Sequence, residues 1–298
     1  MRLTSNTLSE NIIRQIQALG AQQAKLQTQV ATGQRIFQPE DDPTAVGRVL
    51  GLESNRREIT QYLRNADRAR EISETSFSGL QQLKRVSDRA TEIGTLGSGA
   101  ISPEAAGAYA SEVDQMIEQA LQVANGKLRN DYMFAGTAVD TAPFTATRDV
   151  NGKVTGVTYA GNSQRAEIQL SESASVTPGT TGATNTGIGN FLNELVALRD
   201  ALTANNSPAV IIAQTSLIAS EDVLVSSLAE HGGVQMRIEA NRSQLLDRSE
   251  GLEKLISSEA DLDLPTTIVK LNQSQTAYQA ALSSSANIMR LSLLDYIQ

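Results

Sequence analysis

The sequence predicts a mainly α fold: an elongated antiparallel long-helix bundle with paired terminal coiled-coil helices and a small β-rich inserted domain. Three observations carry that expectation. Each end of the chain bears one narrow apolar stripe, a proline-free helical pattern runs from Pro43 to about Leu96, and the texture turns rich in Thr, Gly, Val and Ser near Asp131.

At the N-terminal end, Leu8, Ile12, Ile16, Leu19, Leu26 and Val30 fall in helical steps. At the C-terminal end, Leu264, Ile268, Leu271, Tyr278, Leu282, Met289, Leu293, Leu294 and Ile297 do the same. Both patterns describe a helix with a single sticky face. A stripe that narrow cannot be buried by its own helix, so each end needs a partner helix, either the other end or a second copy. All of these residues up to Leu294 are therefore candidate subunit-interface positions. Gln23, Gln275 and Ser285 interrupt the seam with polar groups.

Between the ends, helix starts share one grammar, a cap residue followed by proline: Asp42-Pro43, Ser102-Pro103 and Ser207-Pro208. Leu264-Pro265 has Asp261 and Asp263 beside it, and Pro265 either opens a new helix or kinks a continuing one. The helix from Pro43 carries Ile59, Leu63, Ala66, Ser73, Phe77, Leu80 and Ala90 on one face and would span roughly 70–80 Å at about 1.5 Å per residue. Gly94, Gly97 and Gly99 end it, and a second helix follows from Pro103 to about Leu128. Asn151-Gly152 then marks a hairpin turn. Gly156–Tyr159 and Arg165–Leu170 read as neighbouring strands. Helix resumes at Phe191 and again from Pro208 to about Ala260, with His231-Gly232-Gly233 as a point of local loosening. The division that follows is 1–41 with 262–298 as a terminal coiled-coil domain, 42–131 with 191–261 as a rod, and 132–190 as an outer β-rich insert.

Composition excludes several classes of chemistry. The 298 residues include no cysteine and no tryptophan, and the formal charge is −8. There is thus no thiolate nucleophile or cysteine metal site, and no basic face for nucleic acid. No unbroken apolar run approaches the roughly 20 residues that cross a bilayer, and the N-terminus lacks the pattern of a cleavable secretory signal. His231, the single histidine, reads as a surface residue of a long helix. Asp41 and Asp42 read as helix caps rather than paired catalytic acids. Arg56, Arg57, Arg64, Arg68 and Arg70 read as a solvated helix face that could also meet acidic residues of a neighbouring subunit. No catalytic, cofactor-binding or metal-binding set emerges, and no enzyme is expected.

Two motifs carry a resemblance. Ala31-Thr32-Gly33-Gln34-Arg35-Ile36 followed by Glu40-Asp41-Asp42-Pro43-Thr44-Ala45 resembles the signature after the first helix of bacterial flagellins and flagellar hook-associated proteins. Asn130–Thr137 with Thr141-Ala142-Pro143-Phe144 resembles the passage into that family's outer β domain, and Glu259–Asp263 before the last amphipathic helix matches its C-terminal end. Gly33, Arg35, Ile36, Asp41, Asp42, Pro43, Phe134, Gly136, Pro143 and Phe144 are the motif positions, and Pro43 leans toward the hook-associated branch. The resemblance implies an extracellular structural subunit of the flagellum that joins the hook, through hook-associated protein 1, to the flagellin filament. It implies a homo-oligomeric ring of about eleven copies, export by the flagellar type III route without a cleavable signal, and an export chaperone. The alternatives are a short flagellin that polymerises into the filament itself and an unrelated long-helix scaffold or adaptor.

Overall fold

The structure, a computed structural model, describes residues 2–297, and their side chains from 10 to 287. The described chain is mainly α. In order it runs α1 (Arg2–Thr32), α2 (Pro43–Gly97), α3 (Pro103–Ala124), β1 (Lys127–Leu128), β2 (Asp131–Tyr132), β3 (Phe144–Arg148), β4 (Val154–Tyr159), β5 (Ile168–Gln169), β6 (Ser175–Val176), α4 (Gly182–Thr203), α5 (Ser207–Ala260) and α6 (Leu264–Ile297). It divides into two units, residues 1–58 with 248–298, and residues 59–247; α2 and α5 contribute segments to both.

The helix starts follow their caps. Asp42 Oδ1 accepts the Ala45 N–H at 3.0 Å, and Ser102 Oγ accepts that of Ala105 at 3.2 Å, as the sequence predicts. At α5 the cap is Asn206 rather than Ser207, since Asn206 Oδ1 accepts the Ala209 N–H at 3.2 Å, while the Ser207 hydroxyl turns to the Ser98 carbonyl. Pro265 opens a new helix: Asp263 Oδ1 accepts the Thr266 N–H at 3.2 Å, so the acidic residue caps α6 and the chain is not merely kinked. α5 is continuous through His231-Gly232-Gly233.

The second unit has one main core, in which Leu80, Leu83 and Ile93 of α2, Val113 and Ile117 of α3, Phe191, Leu192, Leu195 and Leu198 of α4, and Val210, Leu217 and Leu224 of α5 meet Phe134 and Phe144. An α5 window has a mean hydropathy of 1.4, long and apolar enough to cross a membrane by length and composition alone. Polar residues interrupt that window, so it passes on average composition and not as an unbroken apolar run. Val210, Ala213, Leu217 and Leu224 of this helix supply part of the core.

Three further expectations change. β4 does not pair with β5: β3 and β4 form a hairpin around Asn151-Gly152, and β5 pairs with β6. Local hairpin closure costs less chain entropy than a longer-range pairing, and residues between β4 and β5 are held elsewhere by Asn162. Helix α4 starts at Gly182, well before Phe191, because Thr181 Oγ1 caps it at the Thr184 N–H (3.0 Å) and Ile188 is buried one turn before Phe191. His231 is not on the surface. It is 3% exposed, with Nδ1 3.3 Å from Ser73 Oγ on α2. A helix residue facing a neighbouring helix carries no local mark of that fact.

Candidate assembly surface

In the first unit α1 packs against α6. Gln34 bridges Asp261, and the ring of Tyr278 lies 3.5 Å from where a Cβ on Gly20 would stand. Numbers fall along one helix as they rise along the other, so the pair is antiparallel. Ile12, Ile16, Leu19, Leu26 and Val30 of α1 are half-buried, as are Leu271 and Tyr278 of α6. Leu264, Ile268 and Leu282 stay open, at 42%, 43% and 43% exposure. The side chains of Leu8, Met289, Leu293 and Leu294 lie outside the described ones.

The covered side of α6 is polar. Thr267 and Ser274 are each 6% exposed, Ser285 is buried too, and Ser274 Oγ has no hydrogen-bond partner. At 3.6 residues per turn, Leu264, Ile268 and Leu282 lie beside this row on the helix surface. One stripe of the sequence is thus split, part laid on α1 and part left to solvent. Burying hydroxyls while leaving large aliphatic groups open reverses the usual sorting of side chains.

Both helices are anchored at one joint built from two linkers. Gly33 takes φ +71° and ends α1, the left-handed conformation that favours glycine. Its carbonyl accepts the Leu262 N–H at 3.0 Å, and the Arg35 N–H donates to the Ala260 carbonyl at 2.8 Å. The Arg35 guanidinium donates to the Glu259 carbonyl (2.7 Å from Nη2) near the C-terminal end of α5, where orphan carbonyls favour a cation. It also reaches Asp42 at 3.3 Å. Arg48 grips Glu259 through both carboxylate oxygens, at 3.0 and 2.9 Å. Lys25 sits 2.7 Å from Asp41 and, with the N–H groups of Gln38 and Phe37, holds that carboxyl down at about 2. Asp42 is lowered chiefly by the Ala45 N–H, and Glu259 by Arg48. The motif residues Gly33, Arg35, Asp41 and Asp42 are therefore gathered in one place. Pro43 opens α2 there, and Ile36 is half-buried between them in sequence.

The second motif lies in the other unit. Phe134 is fully buried, and its ring would lie 3.0 Å from a Cβ on Gly79. Gly136 has φ +71°, and a Cβ there would collide with Asn162 and come within 2.9 Å of the Gln164 carbonyl. Asn162 Oδ1 accepts the Thr137 and Gln164 N–H groups at 3.0 and 3.1 Å, stitching the two loops together. Pro143 is buried and its carbonyl accepts the Ala160 N–H at 2.7 Å. Phe144 meets Tyr159 with ring centroids 5.3 Å apart.

Residues 3–139 match the bacterial flagellin N-terminal helical region. Over 98% of both chains, the protein is 26% identical to flagellar hook-associated protein 3 of Escherichia coli K12 and likewise 26% identical to that of Salmonella typhimurium. Along nearly its whole length the chain is thus similar to flagellar hook-associated proteins, and its N-terminal part to flagellin. A crystal structure of Bacillus cereus FlgL shares its fold, with a TM-score of 0.61 at 16% identity, covering 70% of this chain and 99% of that one.

Several contributors to these two sites were not visible in the sequence. Arg48 and Lys25 look like ordinary helix-surface cations until the fold brings Glu259 and Asp41 to them. Asn125 and Asn162 resemble any loop amide, although Asn125 holds the Phe144 backbone from both sides, at 2.8 and 3.0 Å. A turn-forming Asn beside glycine was the available signal. Of the α2 arginines read as a solvated face, Arg56 pairs with Glu53 at 2.9 Å, and Arg70 with Glu74 at 3.6 Å.

Proposed function

We propose that this protein is the structural subunit that joins the flagellar hook to the flagellin filament, assembling as a ring through α1 and α6. The observation that carries the reading is the inverted sorting on α6, with Thr267, Ser274 and Ser285 covered and Leu264, Ile268 and Leu282 open. Such a face is unfinished in one chain and finished when a second copy packs along it. The naming of relatives that match along nearly their whole length favours a junction subunit over a filament-forming flagellin.

In this reading residues 1–41 and 262–298 form the inner tube, 42–131 and 191–261 the rod, and 132–190 the outer insert. The ring, of about eleven copies by family resemblance, meets hook-associated protein 1 on one side and flagellin on the other. The subunit reaches the cell exterior through the flagellar export channel without a cleavable signal, attended by an export chaperone. A terminal seam whose described apolar side chains are half-buried or open is weak enough to stay open until neighbours complete it.

Three experiments test this. A deletion strain should carry hooks without filaments and shed flagellin into the medium; normal swimming would refute the assignment. Purified protein seeded on filament fragments should cap them without growing; long filaments would identify a flagellin instead. Limited proteolysis of the free chain should cut within 1–40 and 262–298 first, and equal resistance throughout would remove the unfinished-seam explanation.

A further inference from the structure

The chain holds two Asn-Gly pairs, Asn125-Gly126 and Asn151-Gly152, in opposite environments. In such a pair the glycine nitrogen, with no side chain beside it, can reach the preceding carboxamide carbon. The structure assigns Asn151 as a site of spontaneous deamidation in the folded protein and Asn125 as protected from it. This inference does not depend on the flagellar role.

The chemistry needs only water. The Gly152 nitrogen, after losing its proton to solvent base, bonds to Asn151 Cγ. The Cγ–Nδ2 bond breaks and the amide nitrogen leaves as ammonia, taking protons from water. Water then opens the succinimide ring at either carbonyl, leaving aspartate or isoaspartate at position 151. Nothing is oxidised or reduced.

Access decides between the two sites. Residues 149–153 are all exposed at the tip of the β3–β4 hairpin, and nothing lies within 4 Å of a Cβ built on Gly152, whose φ is +84°. The turn is held only by polar bonds in water. Gly152 N–H donates to the Asp149 carbonyl at 3.1 Å, and the Asn151 and Lys153 N–H groups donate to the Asp149 carboxylate at 2.8 and 2.9 Å. It can therefore open to the attacking geometry without uncovering any core side chain.

Asn125 is the C-cap of α3 and is half-buried. Its carboxamide is committed in both senses, accepting the Phe144 N–H at 3.0 Å and donating to the Phe144 carbonyl at 2.8 Å. Gly126 N–H is tied to the Val123 carbonyl at 3.0 Å. Turning Asn125 toward Gly126 would strip β3 from α3 and loosen Phe144, which is buried. Conversion at position 151 places a second carboxylate beside Asp149. Isoaspartate also adds a backbone methylene next to the register shift after Thr147.

The test is incubation of the folded full-length chain in warm, mildly alkaline buffer, with peptide mapping for the mass gain of amide-to-acid conversion and an isoaspartyl assay. Asn151 should convert at least about tenfold faster than Asn125, because local opening is cheap only at the tip. In denaturant the two rates should approach each other. Asn151→Gln should abolish the change in the 149–153 peptide. Equal rates in the folded chain, faster loss at Asn125, or a mass gain that survives Asn151→Gln would overturn the assignment.

Discussion

Replacing Leu264, Ile268 and Leu282 together by alanine should abolish incorporation into flagella while leaving the isolated chain folded. Each side chain is 42–43% exposed in the single chain, roughly 75 Å² on a residue of about 180 Å². If a neighbour covers that area, each contributes about 2 kcal/mol at about 25 cal/mol per Å². Alanine retains part of it, so the triple variant should lose about 3–4 kcal/mol per subunit contact, a drop of more than about a hundredfold in association. The isolated chain should lose less than about 1 kcal/mol, since the positions are half in water and alanine is a good helix former. The assay has two arms: urea unfolding of the purified chain, and its recovery in flagella sedimented from cells. Wild-type recovery of the triple variant would refute the reasoning. So would a loss of several kcal/mol in the isolated chain, because the residues would then be core.

Three other outcomes are expected. Gly136→Ala should destabilise the second unit by about 2–3 kcal/mol, since φ is +71° and a Cβ would strike Asn162; a thermal midpoint within error of wild type would contradict the geometry. Arg35→Ala should expose both linkers of the joint to protease near Gly33 and Leu262, because the Glu259 carbonyl and Asp42 lose their shared cation; an unchanged cleavage pattern would show that the backbone pairing suffices. Burial holds the His231 imidazole below its ordinary value, with Glu230 acting to raise it and Arg165 to lower it. Its folded value is below its unfolded one, so the stability is present above the unfolded value of about 6.5 and fades as pH falls through it. Glu194, raised by burial, works in the opposite sense, favouring the fold at low pH. Unfolding midpoints measured from pH 8 to 5 should decline, and His231→Asn should flatten that slope; a slope unchanged by the substitution would exonerate His231.

Periodicity revealed the long helices because a helix buries one face and repeats the same spacing wherever it runs. Caps at Asp42 and Ser102 were legible because a side chain bonding to a backbone N–H three residues on is a local event. The pairing of β3 with β4 through Asn151-Gly152 was half legible: the turn is local, but the strand before it is short and polar, Phe144 apart. His231 was misplaced, because burial depends on which neighbouring helix arrives, and Ser73 lies far away in the chain.

By itself the sequence determined the helical class, the two sticky ends and the motif positions, since each depends on spacing within one segment. Only the tertiary structure decided which part of the C-terminal stripe is covered. It also decided that Gly33, Arg35 and Asp42 meet Glu259 in one joint, and that Asn162 closes the loop against Gly136. Those outcomes depend on charges and shapes brought together from distant segments, which no single stretch of chain encodes.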